Sequence, residues 1–254
     1  MKVTILGCGT SSGVPRIGGD WGACDPGDPR NRRTRASILV ETATTAILVD
    51  TGPDMRAQLL AADVRTIDAV IWTHEHADHT HGIDDLRQLF HVRNAPVPGF
   101  ARPETLALLD RRFHYVFHGR GGYPPTSSGH LLPDKIRIGD IDVAVTDMPH
   151  GEILSAGLRF DAGGSSVGYA TDFSEMTAGM QGLFEDVDLW VVDALRRAPH
   201  PTHPHLAMTL QAIADVRAKQ SVLTHMDQSM DYRTLAAELP SHVEPGFDGL
   251  VIEL

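Results

Sequence analysis

The stretch WTHEHADHTHG, Trp72 to Gly82, packs four histidines, a glutamate and an aspartate into eleven residues. It grows directly out of DAVIW, residues 68–72, a short apolar run of the kind that reads as a buried strand. The polar cluster therefore falls at a strand's C-terminal end, where open α/β sheets place their sites. In an extended segment His74 and His76 point to the same side, whereas on a helix they would lie about 200° apart. Convergence on one ion thus requires extended backbone. From His76 to His79 the spacing of three suits a first helical turn, and Asp78 adds a hard oxygen beside the imidazoles. Two adjacent ions can share such a loop. The bland alternative is a polar turn in which Asp78 or Thr80 caps the helix GIDDLRQLF. So dense a His and Asp cluster at a strand end argues against it.

Working outward, β-branched apolar runs recur as VTIL, ASILV, TAILVD, IDVAV, SVGYAT, DLWVVD and SVLTH. Helical patterns lie between some of them, over 53–63, 84–92, 103–113, 174–184 and 206–218. Strand pairs come first and alternation follows, which predicts an α/β chain of mixed sheets flanked by helices, organised as one domain over 1–254. Residues 94–133 are rich in Gly and Pro around one short helix, and read as a loop-rich insertion over the surface. Three further ligand candidates occupy strand ends: His150 in DMPHG, Asp172 in YATDFSE and His225 in VLTHMD. Each alone could be a cap or a hydrogen-bonded histidine. Beside the dense motif, coincidence is a poor explanation.

Composition narrows the function. A net charge of −11 disfavours a large nucleic-acid footprint, which relies on Lys and Arg. No apolar run reaches the roughly 18 residues that span a bilayer, so no membrane partner is expected. The N-terminus reads as a strand rather than a secretory signal, and only Cys8 and Cys24 are present, which fits a reducing cytoplasm.

HEHADH, followed in order by His150, Asp172 and His225, resembles the metallo-β-lactamase superfamily of binuclear metallohydrolases over nearly the whole chain. That resemblance implies a four-layer αββα sandwich with the site at the lip between two sheets. It implies His74, His76 and His150 on one divalent ion, Zn or Mn, Asp78, His79 and His225 on a second, and Asp172 bridging them. GCGTSSGVP, GIDDLR, GGYPP and PTHPHL are similar to the PhnP-type phosphodiesterases, which cleave phosphoribosyl 1,2-cyclic phosphate. The implied reaction is attack of metal-bound hydroxide on phosphorus, with His203 as general acid and Asp78 in the catalytic set. His205 and His200 are rivals of His203. The best-known members carry a further zinc on a cysteine cluster and a second histidine. Here the corresponding loop offers only Cys24, and Gln228 stands at the histidine's place, so no structural zinc is expected.

Smaller expectations attach to other residues. The hydroxyls of Ser11 and Ser12 follow the first strand in a turn that lacks the register of a nucleotide loop. With Arg35 and His205 they are the candidate substrate contacts. Arg30, Arg32, Arg33 and Arg35 form the densest basic patch, readable as a phosphate attractor or a solvated loop. The expected partner is a small phosphodiester or nucleotide-like ester, with a homodimer as the candidate assembly. RNA 3′-end processing or oligonucleotide cleavage, and a metal-dependent nucleotide sensor without turnover, are the alternatives.

Overall fold

A computed structural model describes residues 1–254. The first half of the chain forms β1 (Lys2–Gly7), β2 (Ser37–Glu41), β3 (Ala46–Val49), α1 (Met55–Ala61), β4 (Ala69–Ile71) and the single turn α2 (Ala77–Thr80). It continues with α3 (Leu86–Arg93), β5 (Val97–Ala101), α4 (Pro103–Arg112), α5 (His114–His118) and β6 (Ser127–Leu131). The second half forms β7 (Lys135–Ile138), β8 (Ile141–His150), β9 (Ile153–Ala162), β10 (Ser165–Ala170), α6 (Ala178–Phe184) and β11 (Leu189–Asp193). It ends with α7 (Leu206–Val216), β12 (Gln220–Thr224), α8 (Tyr232–Glu238), β13 (Val243–Pro245) and β14 (Val251–Glu253).

These strands make two seven-stranded sheets, ordered β14-β1-β2-β3-β4-β5-β6 and β13-β12-β11-β10-β9-β8-β7. Each sheet starts antiparallel, through β1–β3 and through β7–β10, and then runs parallel. β14 returns to pair with β1. The period of two along the strands explains the layering. Val3, Ile5, Ile38, Val40, Ile47 and Val49 face the second sheet and join a core with Val143, Leu158, Phe160, Val167, Val191 and Leu223. The intervening Leu6, Leu39 and Leu48 face the other way, onto Met55, Leu59, Leu86, Leu89 and Leu109 of the helices. Both faces are buried, at about 1.5–3 kcal/mol per large apolar side chain. With α6, α7 and α8 covering the second sheet, the result is the αββα sandwich. No helix is long and apolar enough to cross a membrane.

The segment 94–133 departs from the loop-rich reading. It holds two strands and two helices, and β5 and β6 complete the parallel half of the first sheet. Glycine and proline within β5 suggested a break, but Gly99 is there for close approach. A Cβ on it would meet the Trp72 ring at 2.3 Å, so the large buried indole requires a glycine opposite it.

Candidate metal centre

The histidines and aspartates gather where strands of both sheets end. β3 delivers Asp50, β4 delivers Thr73 and His74, and from the second sheet β8, β10, β11 and β12 deliver His150, Asp172, Asp193 and His225. Three of these sit in the left-handed region: Asp50 (φ 66°), Asp172 (φ 58°) and His225 (φ 57°). Such backbone costs on the order of 1–3 kcal/mol per residue and recurs where a side chain must be aimed. The loop carrying His76, Asp78 and His79 is pinned against residues 50–52. Thr51 N–H donates to the His79 carbonyl at 2.7 Å, and Gly82 N–H donates to the Thr51 carbonyl at 2.7 Å. Any side chain at Gly82 would strike the Gly52 carbonyl, 2.1 Å from its Cβ.

Asp172 lies at the centre, 2% exposed. Its Oδ2 is 3.7 Å from His74 Nε2 and 3.5 Å from His150 Nε2. Its Oδ1 is 3.4 Å from both His79 Nε2 and His225 Nε2. His76 Nδ1 stands 3.3 Å from His150 Nε2 on the first side. On the second, Asp78 Oδ2 is 3.3 Å from His79 Nε2 and 3.5 Å from His225 Nε2. The donors thus sort into His74, His76, His150 and into Asp78, His79, His225, with one oxygen of Asp172 turned to each group.

The chemistry of these donors fits divalent ions. Nε2 of the buried His74, His79 and His225 has no hydrogen-bond partner, which would be costly for groups meant only to pack. The Nδ1 atoms of His74, His79 and His150 are fixed by neighbours. His79 Nδ1 meets Asp50 Oδ2 at 2.7 Å, His150 Nδ1 meets the Thr202 carbonyl at 2.8 Å, and His74 Nδ1 meets Thr73 Oγ1 at 3.0 Å. Such outer contacts set tautomer and ring angle in metal sites. The field agrees. Burial alone would depress His79, but the carboxylates of Asp172, Asp78 and Asp50 outweigh it and raise its pKa well above the ordinary value. His225 is likewise pushed up to about 9, burial being overcome by Asp172, Asp78 and Asp193. The carboxylates on this side of Asp172 favour positive charge, whereas burial holds His74 and His150 on the other side below the ordinary imidazole value.

His203 joins the cluster. Its Nδ1 is 2.9 Å from Asp193 Oδ2 and its Nε2 3.8 Å from Asp172 Oδ2, with 12% of the side chain exposed. His205 instead precedes α7, where its carbonyl accepts from Thr209 N–H, and no hydrogen bond or ion pair links its side chain to the centre. Nor is one formed by Ser11 or Ser12, which lie exposed in the turn after β1. Arg35 contacts Asp54, 2.9 Å from Nε, under the same loop system. The expected basic patch is taken apart. Arg33 is 1% exposed and donates to the carbonyls of Met230 (2.6 Å) and Asp227 (3.3 Å). Arg30 bonds Asp28 and lies over Tyr232, and Arg32 lies over Trp21. Two site residues escaped the sequence reading: Asp50, which also accepts from Thr73 N–H at 2.8 Å, and Asp193, which accepts from Asp172 N–H at 3.0 Å. The available signal was an aspartate closing each of two apolar runs, AILVD and LWVVD.

Comparison with known proteins agrees with this geometry. Residues 45–226 match the model of the β-lactamase superfamily domain. The chain is similar to the crystal structure of a diphosphatase from the PhnP family, with TM-score 0.90 and 33% identity, covering 99% of this chain and 96% of that one. It shares its fold with Zn(2+)-bound PqqB from Methylobacterium extorquens, with TM-score 0.80 and 19% identity over 100% of both chains. It is also 33% identical, over 98% of its length, to a protein named octanoyltransferase from Porphyromonas gingivalis, of which 51% is covered. The chain spans about half the length of the curated relatives it matches. The domain match across most of the chain, the two-sheet sandwich and the His and Asp cluster at its lip place this chain in the metallo-β-lactamase superfamily, as a PhnP-like member.

Proposed function

We propose that this chain is a binuclear metal-dependent phosphodiesterase acting on a small phosphodiester, such as a cyclic ribose phosphate or a nucleotide-like ester. The observation that carries the reading is Asp172, whose two oxygens face two separate sets of three donors. His74, His76 and His150 would hold one ion, and Asp78, His79 and His225 the other. Divalent ions in such a pair lower the pKa of water from 15.7 toward about 7 and neutralise charge on phosphoryl oxygens.

The remaining work falls to the chain. An expelled sugar alkoxide is a poor leaving group unless protonated, and His203 is placed to supply the proton. Asp193 accepts from Nδ1 and fixes the ring, so that Nε2 is the nitrogen facing the centre. The acidic balance of the chain supports a small substrate over a long nucleic acid.

Bis(p-nitrophenyl) phosphate and a five-membered cyclic ribose phosphate, assayed with Mn²⁺ or Zn²⁺, test the proposal. Metal-dependent turnover of both is expected. Binding without turnover would make the chain a sensor instead. The similarity to a diphosphatase supports a second reading, cleavage of a phosphoanhydride. There the leaving group is a phosphate, which departs without a proton, so His203→Ala would spare that reaction while crippling the ester one.

A further inference from the structure

We propose that Asp110, His114 and His118 form a surface metal site, separate from the sheet lip, that takes an imidazole-preferring divalent ion such as Zn²⁺, Ni²⁺ or Cu²⁺. Asp110 lies in the last turn of α4, and α5 continues beyond Phe113 with His114 and His118 one turn apart. His118 Nε2 is 2.5 Å from Asp110 Oδ1, and His114 Nδ1 is 3.8 Å from the same oxygen. The two imidazoles stack with centroids 4.1 Å apart at 23°. The three donor atoms all lie within 4.8 Å of one another.

A surface ion pair would account for His118 and Asp110 alone. The four-residue spacing of Asp110, His114 and His118 brings the third donor in as well, with the His114 ring on His118 and its Nδ1 3.8 Å from the same carboxylate oxygen. One ion can take all three donors once the His118–Asp110 hydrogen bond opens. A tetrahedral ion with ligands at about 2.0–2.2 Å sets them roughly 3.3–3.6 Å apart. The side chains are 44%, 67% and 52% exposed, free to make that adjustment by rotation. Three protein ligands leave a fourth position for water or a ligand atom, and two imidazoles favour Zn²⁺, Ni²⁺ or Cu²⁺ over Mg²⁺ or Mn²⁺. The corner is connected to the centre. Arg112 Nη1 donates to the Glu75 carbonyl at 2.5 Å, and the Phe113 ring meets His81 edge-on at 5.6 Å. An ion here would clamp the helical corner against which the metal-centre loop leans.

The test is equilibrium dialysis of the full chain and of the His114→Gln/His118→Gln variant against Zn²⁺ and, separately, Mn²⁺. The wild type is expected to retain one zinc per chain more than the variant, with no difference in manganese. Asp110→Asn, which keeps both imidazoles, should weaken uptake of that extra zinc several-fold. Hydrolysis of bis(p-nitrophenyl) phosphate with Mn²⁺ should match wild type in all three proteins, which also reports that they are folded. Equal zinc retention by wild type and double variant would overturn the site. So would a loss of the extra zinc that Mn²⁺ shares, because a centre of that breadth is not an imidazole-selective one. Neither result bears on the reading of the sheet lip.

Discussion

At the sheet lip the imidazoles are wedged. His74, His79 and His225 are buried, and His79, His150 and His203 each direct Nδ1 at an acceptor fixed by another strand or loop. At the α4–α5 corner His114 and His118 are more than half exposed, and Asp110 alone faces both. The donors are chemically the same, two kinds of side chain in both places. What differs is who holds them. Strand ends from two sheets impose directions on the lip, at the cost of left-handed backbone at Asp50, Asp172 and His225. The α4–α5 corner imposes only a spacing. The contrast teaches that preorganisation, not ligand inventory, separates a centre able to support chemistry from one able only to bind.

The sharpest way to break the comparison is at Asp172. Asp172→Ala should remove metal from the lip and lower turnover by more than the roughly 10²–10³-fold cost of losing one stabilising donor. Circular dichroism should show the fold retained, and metal analysis should leave zinc at the corner unaffected. Next in size is His203→Ala, expected to slow hydrolysis of a cyclic ribose phosphate by about 10²–10⁴-fold, the range for a general acid. A nitrophenyl ester should suffer far less, and metal content should not change. If His205→Ala gives that selective loss instead, the assignment moves to His205. Asp50→Asn tests whether outer contacts set the lip apart, with metal affinity expected to fall about 10–100-fold by competition with a chelator.

Two smaller effects concern the loop between β1 and β2. Arg33→Met should destabilise the fold by roughly 1–3 kcal/mol for each buried carbonyl it orphans, read from chemical unfolding. Its donation to Met230 and Asp227 ties this loop to the segment after β12. Cys24→Ser should alter neither metal content nor unfolding midpoint, since Cys24 has only a long 3.9 Å contact to Arg33. Loss of one zinc per chain in that variant would reveal a structural site.

Much of the lip was legible because its residues follow strands whose β-branched runs are unmistakable. His74 to His79 are contiguous, and His150, Asp172 and His225 each close such a run. The sandwich was legible for the same reason, apart from β5, β6, β7, β9, β13 and β14. Those strands carry Pro, Gly, Ser or charged residues whose tolerance depends on partners far along the chain, as Gly99 depends on Trp72. Asp50 and Asp193 stayed hidden because a strand-closing aspartate looks like any cap until its acceptor role is seen. The basic patch, readable as a phosphate attractor or a solvated loop, stayed open in the sequence because arginines adjacent in the chain fan out to separate partners. The corner at Asp110, His114 and His118 was unreadable for a different reason: helical spacing alone says nothing about whether side chains converge.

The most direct test of the central claim is anomalous diffraction at the metal edge from crystals of active protein. Two peaks are predicted at the lip, one among His74, His76 and His150 and one among Asp78, His79 and His225, each within coordination distance of a different oxygen of Asp172. A single peak at the lip of an active preparation, or two peaks that leave Asp172 uncoordinated, would contradict it.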